Sequence, residues 1–437
     1  MSVRRRILVV AYYFPPLGGG GVNRTLKVVR HLCDAGWKPI VLTVDDAAWM
    51  QDETRLAEVP GTVQVLRVPN PDWGRVAAWM RRAEAGESGG GRGRGRLRRL
   101  LVPDLHIGWS LLATPVAGLL AWSRSIDAVY TSAPPYSANA PGLAARALGV
   151  PWIADFRDGW TCCPTRADLP PRRIAFERHL EDRVLRSADR VLFTSSAVRN
   201  RCMARVPGLA DRSEMLLTGY DADDFREGRE LKPPADRLEI VHAGSVFAAN
   251  RGPTLDKFLA ALRQLVSAEP EIRRALRVRF LGAEPATAAQ IGDGGLTDLV
   301  TVEPAVPRAQ VGSALRRAHI CLALSPPGPR GGEPIPGKLF DASGAGRPIL
   351  ALTGEGSLAR LIRRHRLGVA IPPEDGAGIA ALMRTALRRV RHSETALPFD
   401  EIGARELESG RSLGRVVEIC ESVLQVGERP CPSPSAW

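Results

Sequence analysis

The sequence predicts two successive doubly wound α/β domains, and three observations carry that prediction. The chain has 437 residues, 44% of them apolar, which is too long for one ordinary core. Short apolar runs alternate with stretches of helical period, the pattern of parallel strands covered on both faces. The alternation breaks at a polar connector and then begins again.

In the first half the strand-like runs are Ile7–Tyr13, Pro39–Val44, Val63–Val68, Ala128–Thr131, Trp152–Phe156 and Val191–Thr194. Behind the first of them, Leu26, Val29, Leu32 and Cys33 recur at helical spacing. In the second half the runs are Leu238–Ala243, Val278–Leu281, Val300–Val302, Ile320–Leu324 and Ile349–Leu352. Helical stretches fall between them at Thr254–Ser267, Ala309–Ala318, Lys338–Ala345 and Leu358–His365. The connector is Tyr220–Arg237, polar and carrying Pro233 and Pro234. The expected division is therefore a first domain over 1–222, a second over 237–400, and a final helix over 401–426. That helix, read as Ile402–Val426, sets Leu413, Val416, Val417, Cys420, Val423 and Leu424 on one face, ready to pack back on the first domain. Residues 427–437 read as a frayed Pro/Ser-rich tail. Ala83–Arg99, with three successive glycines and then alternating Gly and Arg, reads as a solvated flexible loop. A basic lid or membrane-surface patch is the other reading, since Leu97, Leu100 and Leu101 stand beside its arginines.

The formal charge of +13 suits anionic partners, although an arginine-rich composition without a special partner accounts for it equally well. Seven scattered cysteines, an odd number with no C-x-x-C pair, argue against a disulfide framework or a zinc site and for a reducing compartment. Arg4, Arg5 and Arg6 followed by an apolar run imitate a signal peptide. Pro15, Pro16 and four glycines follow where a small-residue cleavage site would stand, so a core strand is expected. Trp109–Trp122 contains Pro115 and falls short of the ~20 residues that span a bilayer. The expectation is a soluble cytoplasmic chain.

Four motifs carry chemistry. Gly18–Gly21 links the first strand to the helix that opens near Asn23; glycines let backbone approach a ligand, and the helix start offers N–H groups to phosphate. The run is not G-x-G-x-x-G, so a dinucleotide site is a poor match. Gly332–Asp341 reads GEPIPGKLFD, a loop turning into a helix. There Lys338 can neutralise a diphosphate, N–H groups of Gly337, Lys338 and Leu339 can bind its oxygens, Asp341 can accept from ribose hydroxyls, and Glu333 can face a sugar. A capped loop with a solvent-facing lysine explains the same residues. Ala154–Trp160, with Asp155, Arg157 and Asp158, follows an apolar strand, where open α/β sheets place ligands; a plain ion-pair cluster is the alternative. Gly244, Ser245 and then Arg251 follow the first strand of the second half. Asp221-Ala222-Asp223 matches a D-x-D metal motif, but three residues match often by chance and these lie in the connector. His179, His242 and His319 lack zinc-ligand spacing, so no metal is expected.

Together these segments resemble family 4 of the retaining GT-B glycosyltransferases, over nearly the whole chain. Tyr12–Pro16 and Gly21–Arg24 resemble that family's opening loop. Ser132–Ser137 and Pro151–Asp158 resemble a subgroup with a DFRD motif, and Gly337–Asp341 through Gly346–Leu350 is similar to the family's donor-site helix. The resemblance implies two Rossmann-like domains facing a cleft, and transfer of a sugar from a nucleotide-diphosphate donor with retention and without metal or cofactor. By it Glu333 would position the transferred sugar, Lys338 and Arg251 would hold the diphosphate, Asp341 the ribose, and Gly19, Gly20 and Gly21 would approach the diphosphate. Asp155 would act with Glu333 and Lys338 in catalysis, while Tyr136, Arg157 and Asp158 would lie on the acceptor side. The implied partners are the donor and a sugar, lipid-linked or secondary-metabolite acceptor, with peripheral contact to an anionic membrane permitted and no nucleic acid. Tyr136, Ser245, Asp341 and Gly159 depart from the pattern, which usually has His, Arg, Glu and Pro there. A sugar-nucleotide epimerase of the same fold and a non-catalytic nucleotide-sugar-binding scaffold remain open.

Overall fold

The structure, a computed structural model, describes residues 5–45, 51–71, 101–163, 166, 169–246, 248–292 and 295–427. The expected loop Ala83–Arg99 and the tail after 427 lie outside the described residues. The chain divides into two compact units: one of Met1–Leu216 with Leu413–Trp437, the other of Leu217–Ser412.

The first unit holds a seven-stranded parallel sheet in the order β3-β2-β1-β4-β5-β6-β7. Its strands are β1 (Arg6–Val10), β2 (Lys38–Val44), β3 (Gln64–Val68), β4 (Ala128–Ala133), β5 (Trp152–Phe156), β6 (Arg190–Phe193) and β7 (Ser213–Met215). The helices are α1 (Gly20–Asp34), α2 (Ile107–Trp122), α3 (Asn139–Ala147), α4 (Pro171–Ser187) and α5 (Ser196–Met203). β4 and β5 are buried along their whole length, as apolar runs covered on both faces must be. The edge strand β7, Ser-Glu-Met, carries no apolar run and was not foreseen.

The second unit holds a six-stranded parallel sheet in the order β10-β9-β8-β11-β12-β13. Its strands are β8 (Leu238–Ala243), β9 (Leu276–Leu281), β10 (Val300–Glu303), β11 (Ile320–Leu324), β12 (Ile349–Leu352) and β13 (Gly368–Ile371). Its helices are α6 (Ala248–Ala268), α7 (Ile272–Ala275), α8 (Pro285–Gly292), α9 (Arg308–Arg316), α10 (Gly337–Gly344), α11 (Ser357–Arg364), α12 (Gly376–Arg391), α13 (Glu401–Arg405) and α14 (Ser409–Ser412). Two parallel-sheet α/β domains of this kind make a GT-B architecture. β13 is half-buried and begins at a glycine, which hid it from the apolar pattern.

The single helix read over Ile402–Val426 is three: α13, α14 and, back in the first unit, α15 (Val416–Gly427). Tyr220 explains the break. Its N–H donates to the Leu407 carbonyl (3.0 Å) and its carbonyl accepts from the Ser409 N–H (2.7 Å), which diverts these two groups from helical pairing. Accordingly 401–412 stays with the second unit and the connector joins it from Leu217 on, so the domain limits shift from those read off the sequence. Only α15 joins the first unit, where Val416, Ile419, Cys420 and Val423 are buried with Ile7, Val9, Leu26 and Val29. Among the described residues no helix is long and apolar enough to cross a membrane.

Candidate functional site

In an open parallel sheet, ligands bind beyond the C-terminal strand ends where the strand order reverses. The second unit reverses between β8 and β11. The loops leaving these two strands carry Gly244 and Glu333–Lys338.

Lys338 stands in the first turn of α10, and its ammonium reaches across to the end of β8. A Cβ on Gly244 would lie 3.2 Å from Lys338 Nζ, and Gly244 has φ of +93°. Glycine there serves two needs: a left-handed backbone and room for the ammonium. Arg251, at the start of α6, donates weakly to the Val246 carbonyl (3.5 Å). Burial and then Arg251 lower the Lys338 pKa to about 8, against the opposing pull of Asp341 and Glu284. Two cations are thus held close enough to repel in a partly desolvated place. His242, the buried residue two before Gly244, donates from Nδ1–H to the Leu322 carbonyl (3.0 Å). Burial, followed by Lys338, keeps it neutral by holding its pKa well below the ordinary value.

Glu333 is 4% exposed, on a loop fixed by its neighbour. A Cβ on Gly332 would come within 2.5 Å of the Gly354 carbonyl, and the Gly332 carbonyl accepts from the Leu358 N–H at 3.0 Å. Close backbone packing therefore requires glycine before Glu333. Asp341 is engaged: its Oδ1 accepts from Arg308 Nη1 (2.7 Å), while Arg308 Nη2 donates to Asp224 (3.1 Å). Leu339 departs from its expected role. Its side chain is fully buried and its N–H donates to the Pro336 carbonyl (3.1 Å), so neither is offered to a ligand. The D-x-D match is dispersed, with Asp221 accepting from Ser409 and exposed Asp223 paired with Arg226.

In the first unit the order reverses between β1 and β4, and the glycine run follows β1. Gly19 caps α1 with φ of +89°, and Gly20 and Gly21 are its first residues. A Cβ on Gly21 would meet Arg157 Nη1 at 3.0 Å and the Tyr13 ring at 3.1 Å. Arg157 Nη1 donates to the Gly21 carbonyl (2.8 Å) and Nη2 to the Pro134 carbonyl, so this arginine pins the glycine turn to the loop after β4. Tyr13 lies beneath that guanidinium, and burial, against the opposing Arg157, pushes its pKa up to about 12.

Two expectations for this unit are corrected. Asp155 does not face a substrate. It is wholly buried, with Oδ2 and Oδ1 accepting from Arg24 Nε (2.6 Å) and Nη2 (2.8 Å), and Oδ2 also from the Tyr130 hydroxyl (2.5 Å). Tyr136 is buried too, stacked on Trp160 at 5.0 Å and donating to the Gly159 carbonyl (2.6 Å). A carboxylate ended in a parallel strand and an aromatic after a double proline read as site residues by position, yet both face inward. Asp158 is half-buried. Sequence reasoning missed Arg308, Asp224 and Glu284, and it placed Tyr13 and Arg24 in the opening-loop motif without a partner; only residues far along the chain reveal what they do.

The fold is a GT-B architecture, and the family matches add the class of glycosyltransferase domains. Residues 19–219 match the family described as "Glycosyl transferase 4-like domain", and residues 238–389 match "Glycosyl transferases group 1". The chain thus carries two glycosyltransferase domains, one matched in each unit. A D-inositol 3-phosphate glycosyltransferase of Thermobifida fusca is 24% identical over 228 residues, 49% of this chain, and the match spans half of that relative's length. Among solved structures, HepE of Anabaena in complex with UDP and glucose is 14% identical with a TM-score of 0.64, over 96% of this chain and 100% of that one. Sucrose-phosphate synthase from Thermosynechococcus elongatus, at 14% and 0.63, covers 97% of this chain and 100% of its own.

Proposed function

We propose that the protein transfers a glycosyl group from a nucleotide-diphosphate sugar to an acceptor hydroxyl, with retention of anomeric configuration and without a divalent cation. The observation that carries this reading is the Lys338–Arg251 pair at the strand-order reversal of the second unit: two mutually repelling cations that a diphosphate would satisfy together. The UDP and glucose bound to HepE support the class of donor.

In this reading Lys338 and Arg251 hold the diphosphate, helped by the N–H groups at the start of α10. Asp341, steadied by Arg308, takes the ribose through its other oxygen, and Glu333 positions the sugar. The bond from the anomeric carbon to the diphosphate oxygen breaks and the acceptor oxygen bonds to the same carbon. The acceptor proton passes to the departing phosphate oxygen, so no strong side-chain base is required. The cations stabilise charge as it develops on that oxygen. In the first unit the glycine turn at Gly19–Gly21 is pinned by Arg157, and Asp158 belongs to the acceptor side.

The direct test is product analysis with a panel of nucleotide sugars and lysate-derived acceptors, in the presence of EDTA. A glycosylated acceptor with the donor's anomeric configuration is expected. Conversion of donor to another nucleotide sugar with no acceptor present would overturn transfer in favour of epimerisation, and strict dependence on added metal would overturn the metal-free mechanism.

The depressed Lys338 pKa makes binding depend on pH. The free protein loses this charge as pH rises through about 8, whereas a bound dianion favours the charged form. UDP affinity should therefore fall from about pH 7 to about pH 9.5, with proton uptake on binding at the upper end. Calorimetry in two buffers of different ionisation enthalpy measures this uptake, and Lys338→Met should abolish it. Equal affinity across the range would sink the assignment.

A further inference from the structure

α2 contains sixteen residues and none of them is charged. One face belongs to the core: Trp109, Ala113, Ala117 and Ala121 are buried in the first unit. The opposite stripe is equally apolar and is left in water. Leu111, Pro115, Leu119 and Trp122 recur at steps of four, four and three residues, which places them on one side of the helix. Leu111 is 64% exposed, Leu119 62% and Trp122 74%, with Leu112 beside them at 45%. Of the nine large apolar side chains exposed among the described residues, five lie between Leu105 and Trp122. The exposure is therefore a patch and not a scatter, and contiguous apolar patches mark interaction surfaces.

Two occupants suit an apolar stripe, a second copy of the chain or a lipid surface, and charge separates them. The chain carries +13, and exposed Arg124 stands just beyond Ser123, the residue after Trp122. The segment leading into α2 is held by Arg173, which donates to the Leu101 carbonyl (2.6 Å), and exposed Arg172 adjoins it. Pairing two copies through this face would bring like charges together. An anionic lipid surface instead neutralises the arginines while leucines enter the acyl boundary and an indole lies at headgroup level.

We propose that the outward stripe of α2, Leu111–Leu112–Pro115–Leu119–Trp122, docks on an anionic lipid membrane, with the helix lying in the plane of the interface. The surface lies in the first unit and does not depend on the proposed transfer.

Flotation of the full chain with vesicles tests it. Vesicles of phosphatidylcholine alone and of phosphatidylcholine with phosphatidylglycerol serve as the two surfaces. The wild type should float with the anionic vesicles, more weakly at high salt and with neutral vesicles. The double variant Leu119→Glu/Trp122→Glu changes exposed positions only, so its circular dichroism and thermal transition should match the wild type. Its partition should drop at least about tenfold. Variant binding equal to wild type would overturn the proposal, as would a wild type that floats with neither vesicle. A wild-type dimer in light scattering that the double variant abolishes, with no flotation, would assign the stripe to self-association instead. Lys338→Ala should float as the wild type does, so loss of the donor reading and loss of this one are told apart.

Discussion

Replacing Lys338 by alanine is expected to lower kcat/KM for the native donor and acceptor by about 100- to 1,000-fold, the usual scale for removing one preorganised charge donor from a developing oxyanion. The reason is local. The ammonium sits where a Gly244 Cβ would nearly touch it, at the point where the sheet's strand order reverses, beside Arg251. Water entering the space can solvate a phosphate but cannot carry a fixed positive charge. Lys338→Arg should recover only part of the loss, because a planar fork does not fit the room left by Gly244. Steady-state kinetics and UDP titration separate the terms. A variant with wild-type kcat/KM would remove Lys338 from the donor site and with it the charge argument for the whole mechanism.

The second large effect is on stability. Asp155→Ala should destabilise the first unit by about 3–5 kcal/mol, because it leaves the Arg24 guanidinium buried without its countercharge. Arg24 is 1% exposed and Asp155 0%, so water cannot take over as partner. Tyr130 loses its acceptor as well. Such a loss is a large part of a typical domain's 5–15 kcal/mol or so. Urea unfolding followed by tryptophan fluorescence would show it as an early transition of that unit. Should Asp155→Ala unfold like the wild type while losing turnover, the buried pair is not structural and Asp155 returns to the catalytic set.

The Asp155 case shows where sequence reading stops. Ala154–Asp158 was legible as a motif at the C-terminal end of a strand, and β5 does end at Phe156. Whether its carboxylate faces out or in depends on a helix 131 residues earlier in the chain, which brings Arg24 to it. Tyr136 failed for the same reason: its neighbour Trp160 is placed by the fold and not by local pattern. Leu339 failed differently, since a helix-start position offers an N–H only if no local turn claims it, and Pro336 does.

Glycine and charge differ in what decides their place. Gly19, Gly21 and Gly244 stand at turns where backbone angle or close approach excludes a side chain, and such demands act over a few residues. The last helix was over-extended because periodicity takes no notice of Tyr220, whose backbone pairs with Leu407 and Ser409 from far back along the sequence.

Alone, the sequence determined the two parallel-sheet domains, most of their strands and the loops that carry glycine and lysine, because apolar period and backbone geometry are properties of neighbours. Only the tertiary structure decided which charges meet. It buried Asp155 against Arg24, fastened Arg157 to the glycine turn, gave Asp341 its Arg308, and set Lys338 beside Gly244. Those pairings are long-range, and a charge takes its role from the partner and the burial that folding supplies.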